Sequence, residues 1–339
     1  MSTQCSRLRA PRNRTLTLSV AERSRFQGRL LTLTGPADAI DLEDRVVNQD
    51  FFRVLKWLPD HFVDLLFLDP PYNLTKSFNG NVFRERSTAD YATWLESWLP
   101  QLLRTLKPEA SVYLCADWRS STAVHLVAER HLQVHNRITW EREKGRGAKN
   151  NWKNCSEDVW FCSVSKDYYF NVEAVKLRRR VIAPYKDKAG NPKDWQRTDL
   201  GGLRLTHPAN VWNDLTVPFW SMPENTDHPT QKPEKLLAKI VLASTRPGDM
   251  LFDPFLGSGT AAVVAKKLGR RYFGIECDTT YCCLTEKRLD LADRDSTIQG
   301  YSGGVFWERN SVPPVGRRRK TDVRHRGCEL FGPGEDEGQ

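Results

Sequence analysis

The segment MLFDPFLGSGTAAVVAKKLGRRYFGIECD, Met250 to Asp278, constrains the fold more than any other part of the chain. The apolar run Met250 to Phe252 reads as a buried strand and Gly257 and Gly259 as a tight turn. A helix opens at about Thr260, and Tyr272 to Ile275 reads as the next strand. This order points to an α/β fold with a largely parallel sheet. The alternation recurs upstream. In FVDLLFLDPPYN the stretch Leu65 to Leu68 suits a buried parallel strand ending in a loop. Tyr91, Leu95, Trp98, Leu99, Leu102, Leu103 and Leu106 form a helical stripe from Asp90 to Leu106, stopped by Lys107-Pro108. Strands are expected at Ala110–Ala116, Val134–Trp140 and Val159–Val164, and a helix at about Ser120–Arg130. Downstream, Pro233 opens a helix with the apolar face Leu236, Leu237, Ile240 and Val241, and a last helix covers about Thr280–Ala292.

Five regions follow from this rhythm. Residues 1–45 read as a basic variable arm, with order beginning near Val46, and residues 46–171 as the first half of the α/β unit. Residues 172–226, rich in Pro and Trp, read as an inserted irregular module. Residues 227–293 complete the α/β unit, and 294–339 form a poorly packed tail.

The formal net charge is +9, and residues 1–30 carry seven Arg against Glu22 alone. A solvated basic arm is the plainer account, and a polyanion-seeking arm the functional one. No apolar run approaches the ~20 residues that a membrane span needs, so a cytoplasmic location is expected. None of the eight Cys forms a C-x-x-C pair and no His spacing completes a zinc signature. No metal is therefore expected, and the thiols read as reduced and mostly buried.

The glycine turn, Asp253 to Thr260, places backbone N–H groups and a helix N-terminus against a ligand. Glu276, nineteen residues after Gly257, stands where a carboxylate accepts two ribose hydroxyls. Gly257-Ser258-Gly259-Thr260-Ala261-Ala262 also fits the G-x-G-x-x-A dinucleotide fingerprint, so a nicotinamide-dependent oxidoreductase is a rival. Asp253, Pro254 and Phe255 tilt the choice. An acidic and a bulky residue suit a cationic, phosphate-free ligand such as S-adenosylmethionine.

Asp69-Pro70-Pro71-Tyr72 follows the Leu65–Leu68 strand, at the edge where open α/β sheets bind ligands. Two prolines fix φ and remove two donors, so neighbouring carbonyls can face a substrate. Asp69 adds carboxylate acceptors and Tyr72 an aromatic platform. Such a clamp suits an exocyclic amino group, and orientation of this kind recovers ~7–11 kcal/mol of barrier. A base in a duplex must be flipped out to reach it, and stacking on Tyr72 contributes ~1–3 kcal/mol. An Asp-capped, proline-rich turn is the plain structural alternative.

Taken together, four blocks resemble the beta class of amino-methylating DNA methyltransferases found in bacterial restriction–modification systems. They are NQDFFRVLKWLPDHFVDLLFLDPPYN, TWEREKGRGAKNNWKNCSEDVWFCSVS, HPTQKPEKLL and FDPFLGSGTAAVVAKKLGRRYFGIECD, in circularly permuted order from about Val46 to Ala292. The resemblance implies a Rossmann-like methyltransferase fold, with the catalytic half at 46–171, target recognition at 172–226 and the cofactor half at 227–293. It assigns the target base to Asp69, Pro70, Pro71 and Tyr72. It assigns S-adenosylmethionine to Asp253, Pro254, Phe255, Gly257, Ser258 and Gly259, with Glu276 on the ribose and Asp50 near the adenine. His228, Thr230, Lys232 and Pro233 match the block that packs against the methionine moiety. Asp at the head of the DPPY tetrapeptide is similar to adenine-N6 enzymes, with cytosine N4 as the alternative. Double-stranded DNA is the implied partner, with a cognate restriction endonuclease acting independently and a monomer or homodimer as the assembly. Lys144, Arg146 and Lys149, in a basic Gly-containing loop, are candidate DNA contacts, as are Arg178, Arg179 and Arg180 in the inserted module. A DNA-binding protein with a non-catalytic relic site is a third alternative. Trp195, Trp212 and Trp220 are expected to hold the inserted module together.

Overall fold

The computed structural model describes residues 10–78, 81–142, 147–181, 185–198 and 201–309. Its strands are β1 (Arg45–Asn48), β2 (Val63–Leu68), β3 (Lys76–Phe78), β4 (Asn81–Phe83), β5 (Leu106–Ala116), β6 (Gln133–Glu141), β7 (Ser156–Ser163), β8 (Leu177–Arg180), β9 (Gln196–Thr198), β10 (Gly201–Thr206), β11 (Val211–Trp212), β12 (Met250–Asp253), β13 (Arg271–Glu276), β14 (Tyr301–Ser302) and β15 (Val305–Trp307). Its α-helices are α1 (Val20–Gln27), α2 (Ala39–Leu42), α3 (Phe51–Val54), α4 (Thr88–Glu96), α5 (Leu99–Leu103), α6 (Ser121–His131), α7 (Glu234–Ser244), α8 (Thr260–Lys267) and α9 (Thr279–Ala292).

The central sheet runs β1-β13-β12-β2-β5-β7-β6-β11. Its first five strands are mutually parallel, while β7 is antiparallel to both β5 and β6. This is the expected Rossmann-like α/β architecture. Alternation along β2 explains its continuous apolar run. Leu65 and Phe67 pack into one core and Leu66 and Leu68 into the other, because helices cover both faces. Each such fully buried side chain contributes ~1.5–3 kcal/mol of transfer free energy.

The stripe expected to make one helix from Asp90 to Leu106 is two helices. Pro100 lacks the N–H that a continuous helix needs, and it sits in the first turn of α5, where it is tolerated. Lys107-Pro108 does not close a helix but opens β5. There the register against β2 slips between Val63 and Leu65, and a bulge accommodates the proline.

Order also begins well before Val46. The N-cap Ser19 forms a capping box with Glu22, and α1 packs against α9. Arg25 and Arg29 pair with Asp290 at 2.7 and 2.6 Å, and Lys287 reaches Glu22 at 2.6 Å. The Arg excess that read as a solvated arm is thus partly matched by the acidic face of α9. The expected poorly packed tail is likewise corrected over its first part, where Ile298, Phe306 and Trp307 are buried. Residues 310–339 lie outside the described residues. Of the inserted module's strands, β8, β10 and β9 form a second sheet with β14 and β15 from beyond residue 300, while β11 joins the central sheet beside β6. Of the module's three tryptophans, Trp212 is buried, Trp195 is half-buried and Trp220 is exposed, so only the first matches a core role. No helix among the described residues is long and apolar enough to cross a membrane.

Candidate active site

The parallel strands deliver acidic side chains to one sheet edge. Asp69 follows β2, Asp253 ends β12, Glu276 ends β13, and Asp50 lies two residues beyond β1. Asp117, after β5, joins them and was missed by sequence reasoning. It is buried and accepts from the Ser120 backbone at 2.9 Å and the Ser120 hydroxyl at 2.6 Å. Ser120 Oγ in turn accepts from Asn73 N at 2.9 Å, which braces the chain just after Tyr72.

The glycine turn is shaped to hold a ligand's polar groups. Gly257 and Gly259 have φ of 54° and 81°, in the left-handed region. A Cβ at Gly257 would stand 2.9 Å from His228 Nε2, and one at Gly259 would stand 2.8 Å from Thr285 Cβ, with Thr285 Cγ2 closer still. Ser258 Oγ is buried with no hydrogen-bond partner among the described residues. Glu276 accepts from Gly257 N at 2.9 Å through one oxygen and from Asp278 N at 2.8 Å through the other. Oε1 also accepts from Cys277 Sγ at 3.4 Å, so Oε2 is the oxygen that keeps a lone pair for a hydroxyl donor. Burial raises the Glu276 carboxyl above its ordinary range. Burial and the neighbouring Asp69 charge do the same for Asp253, which accepts from Phe255 N at 3.0 Å. A cationic ligand would relieve both. Phe255 packs at 5.2 Å from Phe51 and 6.2 Å from Phe52, a residue 46% exposed that offers an aromatic wall. Asp50 lies beside this wall as the N-cap of α3, accepting from Phe52 N at 2.9 Å. These residues fit S-adenosylmethionine, with apolar stacking for its base, a carboxylate for its ribose and buried acids for its cationic end.

Behind the turn lies a buried ionic network. Arg288 donates to Ser258 O at 2.7 Å and to Glu234 at 2.9 Å, and Lys267 reaches Glu234 at 2.7 Å. Glu224 accepts from Glu234 N at 2.7 Å. Burial, and then the Glu234 charge, push the Glu224 carboxyl up to about 7. The unfolded carboxyl titrates in the ordinary range, so the native state holds the extra proton between that range and pH 7. Stability therefore falls as pH rises through this window. Glu224→Gln is expected to leave stability unchanged near pH 4 and to raise it by up to ~3 kcal/mol above pH 7. Chemical denaturation of both proteins across this range checks it; a gain independent of pH contradicts the assignment.

The Asp69–Tyr72 loop is more committed than its sequence indicates. Pro71 O accepts from the Tyr91 hydroxyl at 2.9 Å, so this carbonyl anchors the loop. Asp69 Oδ1 accepts from the Tyr72 hydroxyl at 2.9 Å, and Asp69 Oδ2 from Lys232 Nζ at 2.5 Å. Tyr72 is half-buried; its hydroxyl lies between Asp69 and Glu157, and Lys232 Nζ stands 5.4 Å from its ring centroid. Burial works against the Lys232 ammonium, but Asp69 and Glu157 outweigh it and hold the group above the ordinary lysine value.

Lys232 lies between the two groups of residues. Its backbone carbonyl accepts from Thr260 Oγ1 at 3.1 Å, beside the glycine turn, and its side chain donates to Asp69. Pro233 caps α7 directly after it. Thr230 N donates to His228 Nδ1 at 3.4 Å, and the His228 ring meets Tyr281 edge-on at 4.5 Å. Of the DNA candidates, Lys149 is exposed, while Lys144 and Arg146 lie outside the described residues. Arg178 stacks on Trp307 and Arg179 lies 3.6 Å from Glu308, which leaves Arg180 as the exposed member of β8.

A family model described as DNA methylase, of the N6 and N4 type, matches residues 63–287, well over half of the chain. The chain belongs to the N6/N4 DNA methylase family. This DNA methylase is 32% identical over 258 residues to DNA adenine methyltransferase YhdJ of Escherichia coli, spanning 74% of its own length and 84% of that protein. It is 29% identical over 252 residues to the type II methyltransferase M.HpaI of Haemophilus parainfluenzae, covering 74% and 75% of the two chains. Among solved structures, PvuII DNA methyltransferase (cytosine-N4-specific) matches with a TM-score of 0.51 and 17% identity over 79% of this chain and 95% of that one, which is a likeness of fold. The methylase is an S-adenosylmethionine-dependent DNA methyltransferase. Family membership settles the ambiguity of the glycine pattern against the oxidoreductase reading.

Proposed function

We propose that this enzyme methylates the N6 amino group of an adenine flipped out of double-stranded DNA, at a specific site, as the modification component of a cytoplasmic restriction–modification system. The observation that carries the reading is Asp69 at the carboxyl end of β2, joined to Tyr72 and Lys232 in one hydrogen-bonded cluster. An Asp at the head of this tetrapeptide resembles adenine-N6 enzymes, and the Escherichia coli relative is named as an adenine methyltransferase. The type II names of other relatives support the restriction–modification setting, with an endonuclease acting separately.

S-adenosylmethionine supplies, when bound, an electrophilic methyl group. The remaining work falls to this chain. Asp69 and the Pro70 carbonyl accept from the amino group and orient its lone pair. Tyr72 stacks on the extruded base. Asp253, Phe255, Gly257, Ser258, Gly259 and Glu276 hold the cofactor, and His228 limits the turn's width. The two arginine-bearing strands β8 and β10, with Lys149, face DNA as the recognition surface. Arg180→Ala is expected to weaken DNA binding and to flatten its salt dependence by about one ion.

The test is transfer of labelled methyl from S-adenosylmethionine to unmethylated duplex DNA, followed by digestion to nucleosides. Label in N6-methyladenine supports the reading. Label in N4-methylcytosine retains the enzyme and overturns the base.

A further inference from the structure

Both oxygens of Asp69 already have partners, Tyr72 on Oδ1 and Lys232 on Oδ2. Each oxygen keeps a second lone pair, but an incoming amino group that uses Oδ1 shares its acceptor with the phenol hydroxyl. That hydroxyl has one hydrogen and two carboxylates within reach, Asp69 Oδ1 at 2.9 Å and Glu157 Oε2 at 3.2 Å. Glu157 lies on β7, where it points inward in phase with Val159 and Phe161. Its side chain is 6% exposed. A buried carboxylate is costly without compensating partners. Glu157 has three: the Tyr72 hydroxyl, Lys232 Nζ at 3.6 Å, and the Arg142 guanidinium on its other oxygen. Packing alone does not call for an acid at this position; Val159 and Phe161 fill the same face with apolar groups.

We propose that Glu157 is a positioning residue, which takes over the Tyr72 hydroxyl when the target amino group engages Asp69. The inference rests on the assignment of Asp69 and Tyr72 to the target base. The exchange leaves no buried hydroxyl without an acceptor and frees Asp69 Oδ1 for the substrate. Burial and the Asp69 and Glu157 charges raise the Tyr72 phenol well above its ordinary value, so it stays protonated and acts as a donor throughout. Lys232 and Arg142 balance the two acids, so the exchange moves a hydrogen bond and no net charge. Arg142, just after β6, holds the other oxygen of Glu157.

The experiment measures single-turnover methylation of duplex DNA by the full-length enzyme, with KM for DNA and for S-adenosylmethionine. Glu157→Gln keeps the volume but replaces the anionic acceptor with a neutral one, so the hydroxyl stays on Asp69. The rate is expected to fall ~10- to 100-fold with KM for S-adenosylmethionine within about threefold. In a Tyr72→Phe background no hydroxyl remains to move, and the Glu157→Gln penalty is expected to shrink to less than about threefold. A penalty of equal size in both backgrounds overturns the proposal, and so does a negligible penalty in the parent enzyme. Thermal melts establish that each variant is folded. Should Glu157→Gln not fold, Glu157→Asp, shorter by one methylene, enters the same comparison. Asp69→Asn separates the two levels of the argument. If it turns over like the parent enzyme, the base assignment fails and the inference with it. If it is inactive while the Glu157→Gln penalty is the same with and without Tyr72→Phe, the Glu157 inference alone fails.

Discussion

Asp69→Ala is expected to lower methyl transfer on the order of 10³-fold or more while leaving S-adenosylmethionine affinity within a few-fold. The side chain follows β2, and the cofactor turn between β12 and α8 is built from other residues. Removing its carboxylate takes away the proposed acceptor for the amino group and one partner of Lys232. Losing a buried ion's only partner costs about 3–5 kcal/mol. Here Glu157 still lies 3.6 Å from Lys232 Nζ, so the fold retains a counter-charge. Isothermal titration with S-adenosylmethionine, beside a transfer assay, separates the two effects. Parallel loss of binding and transfer would point to a collapsed site and not to a missing acceptor.

Gly259→Ala is expected to act at the other site, on cofactor binding. The φ of 81° alone costs a side chain ~1–2 kcal/mol. The added methyl would also stand 2.8 Å from Thr285 Cβ and nearer still to its Cγ2, so rotation of Thr285 cannot clear it and the turn must move away from α9. A rise of at least about tenfold in the Kd for S-adenosylmethionine is expected. Combining it with Thr285→Ala removes the Cγ2 and hydroxyl contacts but not the backbone strain, so affinity should recover only in part. Full recovery would show that the steric contact alone matters.

Much of this was legible in the sequence. Leu65–Leu68 and Met250–Phe252 read as strands because both faces of a parallel sheet are buried and leave unbroken apolar runs. The glycine turn was legible because only glycine tolerates φ of 54° and 81° where His228 and Thr285 crowd it. Features that depend on distant partners were not. Arg25 and Arg29 read as solvated until α9 placed Asp290 against them, across most of the length of the chain. The 172–226 module read as irregular because its sheet is completed by β14 and β15. Pro100 was the overlooked signal in the helical stripe. Lys232 was read by its block, although its side chain points to Asp69. Glu157 did carry a signal, an acid in phase with the inward Val159 and Phe161 of a strand. Its partners, however, come from the loop after β2, the end of β6 and the segment before α7.

The most direct test of the central claim is to express the enzyme, and its Asp69→Ala variant, in a bacterial host without DNA methylation and to map modified bases by single-molecule sequencing. The account predicts N6-methyladenine confined to one sequence motif with the parent enzyme and absent with the variant. N4-methylcytosine in that motif, or modification that survives the loss of Asp69, would contradict it.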